Sequence, residues 1–144
     1  MILDKTFGMD DKAERRKFMG SLIIPLIIVA VMWLVKIIEV SYGARLAQWG
    51  VVPHTVNGLI GILTLPFLHG SWEHLLSNTV PILVLGTALY YCYPTLANRV
   101  MLITWLGSGL LTWCIGDADT THIGASALVY GLNLFLIFSG FIRG

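Results

Sequence analysis

The sequence predicts an all-α fold, a polytopic bundle of transmembrane helices, and three observations lead to it. Hydrophobic residues make up 56% of the 144-residue chain and charged residues only 12%, whereas a soluble domain typically carries about 25% charged residues. Four stretches are long and apolar enough to cross a bilayer core, which takes roughly 20 helical residues. The charged residues lie at the ends of these stretches or between them. A water-soluble domain is therefore not the expected class.

The N-terminal leader, residues 1–19, is predicted to be a short amphiphilic segment and not a signal peptide. Its acidic residues interrupt any signal-like apolar run, and the apolar stretch that follows is too long for one. The first span is predicted over residues 20–40. It contains Pro25 in its opening turns and ends with Lys36 and Glu39, which are spaced to pair with each other or to reach the interface.

The positions of the basic residues predict the topology. The residues just before the first span include Lys12, Arg15, Arg16 and Lys17. The segment after that span offers only Arg45, and an excess of Lys and Arg marks cytoplasmic loops. We therefore expect a cytoplasmic N-terminus. Arg99, between the second and third spans, and Arg143, after the fourth, fall on the same side of the membrane in this arrangement.

The rest of the chain is predicted to form one compact membrane domain over residues 20–144. An interfacial loop with short helices is expected at 41–71, and the later spans are expected at 72–92, 97–115 and 124–142.

Cys92 and Cys114 are expected to be inert packing residues without a role. The net charge of +1 suggests no nucleic-acid partner. The sequence contains no metal or nucleotide motif, so no metal and no cofactor are expected, and the lipid bilayer is the expected environment.

The first polar cluster, at residues 69–78, opens the second span. His74 and Asn78 are four residues apart, so a helix projects them from one face, one turn from each other. Both side chains can donate a hydrogen bond to a single oxygen atom. The structural alternative is a buried polar pair that joins neighbouring helices, as such residues often do in membranes.

The second polar cluster, at residues 124–131, opens the fourth span. Ser126 near the helix N-terminus is a candidate nucleophile whose backbone N–H faces a developing oxyanion. Tyr130, one turn further, is a candidate platform for a neighbouring ring. The structural alternative is close helix packing, because Ala127 and Gly131 form a face of small residues.

Together, the two clusters resemble the motifs of rhomboid intramembrane serine proteases. Residues 67–78 are similar to the His-x-x-x-Asn signature, including an extra histidine, His69, five residues upstream. Residues 124–131 are similar to the Gly-x-Ser motif, beginning at Gly124, and residues 48–53 are similar to the loop before the second span. The resemblance covers about residues 20–143.

The resemblance implies a serine endopeptidase that cleaves the transmembrane helices of membrane proteins with a Ser-His dyad. Ser126 matches the nucleophile, His74 and Asn78 match the oxyanion donors, and Tyr130 matches the ring that packs on the dyad histidine. That histidine lies on the sixth span of the family. We therefore expect this chain to carry four of six spans, to be incomplete at its C-terminus and to be inactive by itself. The implied location is a bacterial inner (plasma) membrane.

The chain departs from the family pattern at several positions. Ile60 and Gly61 replace a Trp-Arg pair that braces the loop, Tyr90 replaces an acidic residue late in the second span, and Ala127 replaces a frequent glycine. The remaining histidines are not expected to be the base. His122 is separated from the helix by Gly124, His69 is expected to support the loop, and His54 is expected at the interface.

Three functions remain open at this point. The first is the intramembrane protease, with its base outside these residues. The second is a catalytically inactive rhomboid-like protein that binds transmembrane clients. The third is an unrelated small membrane protein, a transport or assembly subunit, for which one expects ionisable residues in mid-span.

Overall fold

The computed structural model describes the backbone of residues 3–143 and the side chains of residues 11–142. Its described residues form helices and no strand, which confirms the all-α prediction. The α-helices are α1 (Leu3–Ser21), α2 (Ile23–Tyr42), α3 (Gly61–Thr64), α4 (Trp72–Cys92), α5 (Ala97–Ile115) and α6 (Ser126–Arg143). Three short 3₁₀ helices lie between α2 and α4, at Leu46–Trp49, Asn57–Leu59 and Leu65–Phe67.

The leader is helical and runs almost directly into the first long apolar helix. Only Leu22 separates α1 from α2, and its backbone stays in the right-handed helical region. The ring of Pro25, in the first turn of α2, packs so close to Gly86 of α4 that a Cβ there would lie 2.8 Å from its Cγ. Gly43 ends α2 at φ +61°, a left-handed conformation that favours glycine.

The helices α4 and α5 cover the residues predicted for the second and third spans. The side chain of Ser71 caps α4 by accepting a hydrogen bond from the backbone N–H of His74. Tyr93 ends α4 just before a proline, as expected because proline disfavours helix in the preceding residue. The last helix, α6, begins at Ser126, two residues later than predicted.

The core lies where α2, α4, α5 and α6 meet. Its buried side chains are Met32, Leu75, Ile82, Leu89, Tyr93, Ala97, Met101, Ala125, Leu128 and Leu132. Many large apolar side chains point outward instead; Ile103 is 70% exposed and Phe138 is 62% exposed. Outward apolar surface on this scale is typical of helices that face lipid.

Two helical stretches are long and apolar enough to cross a membrane, namely Asp11–Tyr42 and Trp72–Cys92. Ser126–Ile142 is apolar but shorter. A membrane location is therefore supported, whereas the number of crossings stays a prediction. The predicted topology also uses Arg143, whose side chain is not among those that the structure describes.

The loop between α2 and α4 packs against α5 and the start of α6. Trp105 and Trp113 of α5 donate indole hydrogen bonds to the carbonyls of Ile62 (3.1 Å) and Thr55 (2.8 Å). Val51 forms a two-way backbone bridge with His122, with N–O distances of 2.9 and 2.8 Å. This bridge links the loop to the segment that leads into α6.

Candidate active site

The first turns of α4 hold His74 and Asn78 in a defined geometry. The Ser71 Oγ accepts the His74 N–H at 3.1 Å, which fixes the start of the helix. The Asn78 Nδ2 donates to the backbone carbonyl of His74 at 2.9 Å. Because the amide nitrogen is used in this way, the amide oxygen of Asn78 faces the opposite direction, toward α6.

Gly124 positions Ser126 at the first residue of α6. Its φ of +108° lies in a region that side-chain-bearing residues rarely adopt. A Cβ at this position would also lie 2.5 Å from Cε1 of the His74 ring. The Gly124 N–H donates to the carbonyl of Leu65 at 2.9 Å. Glycine is therefore required here by the backbone conformation and by the closeness of the imidazole.

The structure brings the three predicted site residues into contact. The Ser126 Oγ donates to the Asn78 Oδ1 at 3.1 Å, and the His74 Nε2 lies 3.5 Å from the same Oγ. Asn78 is only 4% exposed, while His74 and Ser126 are half-buried. A buried polar contact across 48 residues of sequence is costly unless it is satisfied, and here the side chains satisfy one another.

The direction of these hydrogen bonds has a chemical consequence. The Ser126 proton points to an amide oxygen, which is not a base at neutral pH. In this state the Asn78 Oδ1 accepts the hydrogen bond from Ser126, and the Asn78 Nδ2 donates to the His74 carbonyl. To donate to a substrate oxyanion, the Asn78 amide must turn. The sequence predicted the two residues but not this orientation.

His69 lies beneath the site as a buried, neutral imidazole. It is 3% exposed, its ring centroid is 5.1 Å from that of His74, and neither ring nitrogen has a hydrogen-bond partner among the described residues. Burial, together with the nearby His74 and Lys36, lowers the pKa of His69 to about 4. The Phe67 carbonyl opposes this effect. His69 therefore stays uncharged at neutral pH, and its supporting role remains a prediction.

Lys36 is a residue at the site whose contact the sequence did not reveal. Its Nζ donates to the carbonyls of His69 at 2.9 Å and Gly70 at 3.3 Å, and it pairs with Glu39 at 2.7 Å. The Glu39 pairing was among the predicted possibilities. Lys36 is 7% exposed, and a buried lysine in an apolar helix was the available signal. It braces the loop in which Ile60 and Gly61 replace the expected Trp-Arg pair.

Two further histidines point away from Ser126. The His122 Nε2 contacts the Thr120 Oγ1 at 3.0 Å and the Asp117 carbonyl at 3.3 Å. The His54 ring lies beside Trp113, with ring centroids 6.1 Å apart. Across the described side chains, His74 is the one imidazole with a hydrogen-bond contact to Ser126.

Tyr130 and its neighbours form an open face. Tyr130 is 68% exposed, and no aromatic ring packs on it within residues 11–142. It borders a groove of about 430 Å³ between α5 and α6, which small residues also line, among them Gly107, Ala127 and Gly131. The predicted ring platform is therefore available on the surface.

The cysteines differ from expectation. Cys92 and Cys114 are free and exposed and are not packed inside the bundle. Both lie near helix ends, where α4 and α5 present an outward face. Among the described residues, no three His, Cys, Asp or Glu side chains group as metal ligands would.

Comparison with known proteins identifies the family. A family model for the rhomboid domain matches residues 56–143, a range that includes all the predicted site residues. An uncharacterized protein of Mycobacterium tuberculosis (strain ATCC 25618 / H37Rv) is 39% identical over 121 residues, which cover 80% of this chain and 50% of the relative. An uncharacterized protein of Mycobacterium leprae (strain TN) is 32% identical over 149 residues, covering 97% and 59%.

The chain spans about half the length of the first curated relatives it matches. No solved structure matches it. The match to the family model covers most of the chain and removes the alternative of an unrelated transport or assembly subunit. The chain belongs to the rhomboid family.

Proposed function

We propose that this chain carries the nucleophile and the oxyanion donors of an intramembrane serine endopeptidase, whose general base lies outside the 144 residues. One observation carries the proposal: Ser126 touches His74 and Asn78 at the first residue of α6. A nucleophile, two side-chain donors and a helix N-terminus meet there. A nucleophile and donors to the developing oxyanion are two of the parts that serine-dependent acyl transfer uses, and the base is the third.

The start of α6 is suited to stabilising negative charge. The first backbone N–H groups of a helix have no intrahelical partner, and the helix dipole adds positive potential at that end. When the Ser126 Oγ attacks a substrate carbonyl, the carbonyl oxygen becomes an oxyanion near the Ser126 N–H. His74 Nε2–H and a turned Asn78 amide then donate to it. Removing one such donor costs about 10²–10³ in kcat.

The base is the part that we place elsewhere. The Asn78 oxygen holds the Ser126 proton but cannot remove it, and His122 is engaged by Thr120. In this proposal His74 is a donor to the oxyanion and not the base. The exposed Tyr130 and the groove lined by Ala127 and Gly131 offer a surface for a further helix with the dyad histidine. Small residues on such a face allow close helix approach.

The membrane arrangement is part of the same proposal. The chain crosses a bacterial inner membrane four times, with the N-terminus in the cytoplasm and the site near the outer face. Its substrates are the transmembrane helices of other membrane proteins. In this setting, low dielectric around Ser126 strengthens the hydrogen bonds aimed at the oxyanion.

A second candidate function is a non-cleaving protein that binds transmembrane clients. The observation that favours it is the hydrogen bond that directs the Ser126 proton to an amide oxygen. In that case the contact would serve stability, and the groove beside Tyr130 would receive a client helix. The two functions can be separated by the effect of removing the Ser126 hydroxyl, which only a protease needs for cleavage.

The test uses a polypeptide in which this chain is followed by the residues that follow the matched region in the M. tuberculosis relative. Cleavage of a transmembrane reporter is measured in proteoliposomes. Ser126→Ala is expected to abolish cleavage, and Asn78→Ala to slow it about 10²–10³-fold. Ser139→Ala is the matched control, because its hydroxyl donates to the Phe135 and Leu136 carbonyls of its own helix. Unchanged cleavage in Ser126→Ala would exclude the protease, and no cleavage in any form would favour the client binder.

A further inference from the structure

A second region of the molecule combines an apolar groove with a basic hollow at the opposite end of α4 from Ser126. The groove, of about 500 Å³, lies between the α1–α2 junction and the last turns of α4. Its lining residues include Phe18, Leu22, Val84 and Cys92. It is almost entirely apolar, and Val84 remains 60% exposed. An apolar ligand can therefore enter it from the side.

The basic hollow adjoins this groove. It has a volume of about 450 Å³ and is lined by Lys12, Arg16 and Lys17 together with Ala13 and Gly20 of α1. Lys12 and Arg16 are four residues apart, so they lie on one helix face. All the side chains of residues 11–20 are exposed. Within this hollow the lining charges are all positive.

One contact joins the two features. The Lys17 ammonium lies 4.3 Å from the ring centroid of Tyr91, and Tyr91 also lines the apolar groove. The Tyr91 hydroxyl donates to Glu14 at 2.5 Å, so this acidic side chain is already occupied. Phe18 packs edge-on against Tyr91 with centroids 6.3 Å apart. The basic hollow therefore begins where the apolar groove ends.

We infer that the groove and the hollow together bind one anionic glycerophospholipid, with its acyl chains in the groove and its phosphate in the hollow. An apolar groove next to several positive charges fits an amphiphile that has an anionic headgroup. A free phosphate would leave the groove empty, and a neutral lipid would leave the charges unpaired. Each basic side chain near an anionic headgroup contributes about fivefold in affinity. This site is separate from Ser126 and does not depend on the proposed protease activity.

The buried wall of the groove adds a polar group. Thr87 is 8% exposed, it lines the groove, and its hydroxyl has no hydrogen-bond partner among the described residues. Thr87 is four residues from Tyr91, so it lies about 6 Å, roughly one helical turn, deeper than the headgroup contact. Rotation of this side chain would bring the hydroxyl to an ester carbonyl of the lipid.

The two cysteines provide a direct measurement. Cys92 lines the groove, whereas Cys114 lies in the last turn of α5, away from it. The chain is placed in nanodiscs as single-cysteine forms, Cys114→Ser and Cys92→Ser, and labelled with an uncharged maleimide. The discs contain phosphatidylcholine alone or with phosphatidylglycerol. We expect Cys92 labelling to slow about fivefold or more with phosphatidylglycerol, because the bound lipid covers the thiol, while Cys114 labelling stays within about twofold.

A matched pair of charge variants separates a site from general surface attraction. Arg16→Gln and Arg15→Gln remove the same charge from neighbouring exposed positions, but only Arg16 lines the hollow. Arg16→Gln is expected to restore most of the Cys92 labelling rate, and Arg15→Gln to leave the protection in place. Equal effects of the two variants, equal slowing of Cys114, or Cys92 protection that is independent of the lipid charge would each overturn the inference. Helical content by circular dichroism checks that both variants fold.

Discussion

On one side of Ser126, His74 and Asn78 lie in packed surroundings, and Asn78 is only 4% exposed. On the other side, one turn along α6, Tyr130 is 68% exposed above an open groove. The two proposed oxyanion donors on the packed side are held by α4 and by the loop before it. The open side has small residues and the Tyr130 ring, which are typical of a helix–helix contact, but no helix packs there within the described residues. This difference is what leads us to place the general base outside the chain.

Gly124→Ala is expected to have the largest effect, and it tests the packed side. A methyl group would collide with the His74 ring and would require a backbone φ that alanine disfavours. Strain and overpacking together should lower the free energy of unfolding by about 2–5 kcal/mol. Thermal unfolding in mild detergent measures the change.

The matched control for this variant is Gly140→Ala within α6, where an added Cβ meets nothing within 4 Å. It should stabilise α6 slightly, because alanine favours helix over glycine by about 1 kcal/mol. Equal melting temperatures for Gly124→Ala and the unchanged protein would show that the His74–Gly124 contact is not tight.

Acidification tests the support beneath the site. Because the folded protein holds the pKa of His69 near 4, below its ordinary value of 6.5, the unfolded chain binds a proton more readily. The stability due to the neutral imidazole is fully present above pH 6.5 and is lost as the pH falls from about 6.5 to 4. The difference between these two pKa values corresponds to at most about 3.4 kcal/mol.

His69→Phe should flatten this pH dependence, as measured by melting temperature between pH 7 and pH 4. Lys36, Glu39 and His74 also face the ring, so the comparison must use the difference between variants. His54→Asn is the control, since His54 is exposed and asparagine tolerates its positive φ of 60°. A slope unchanged by His69→Phe would mean that another group governs acid sensitivity.

Lys36→Met tests the brace between α2 and the loop. The variant keeps the apolar stem but removes the ammonium that holds two backbone carbonyls and Glu39. Hydrogen bonds to charged groups contribute about 1.5–3 kcal/mol, and unfolding should become easier by a similar amount. Glu39→Gln should cost less, because the carbonyl contacts of Lys36 remain. If Glu39→Gln were the more harmful change, the ion pair and not the brace would matter.

Tyr130→Ala is expected to have the smallest effect, and it tests the open side. In this chain the exposed ring should contribute no more than about 0.5 kcal/mol to stability. In a polypeptide with a further helix on the groove, the same change should cost about 3–5 kcal/mol, as for a buried aromatic ring. Similar costs in both polypeptides would show that nothing docks beside Tyr130.

The sequence predicted most of the helices, because apolar runs of span length are local signals. It also predicted that Ser126, His74 and Asn78 belong together, through the resemblance of two motifs. It could not predict the Lys36 contact with the carbonyls of His69 and Gly70, since that contact joins segments 33 and 34 residues apart.

The sequence also could not predict how the side chains at the site are oriented. The direction of the Asn78 amide depends on which atoms surround it in the fold, here the His74 carbonyl and the Ser126 hydroxyl. The turning of His122 toward Thr120 depends on the backbone bridge to Val51. Neither arrangement leaves a pattern in residue spacing.

The most direct test of the half-site is reaction of Ser126 with a fluorophosphonate, which labels only a serine whose proton a base can remove. The 144-residue chain in nanodiscs is compared with the chain joined to the residues that follow the matched region in the M. tuberculosis relative. Ser126→Ala is the blank in each case. We predict labelling of Ser126 in the longer polypeptide and none above the blank in the chain alone. Equal labelling in both would contradict the account, because the base would then lie within these 144 residues.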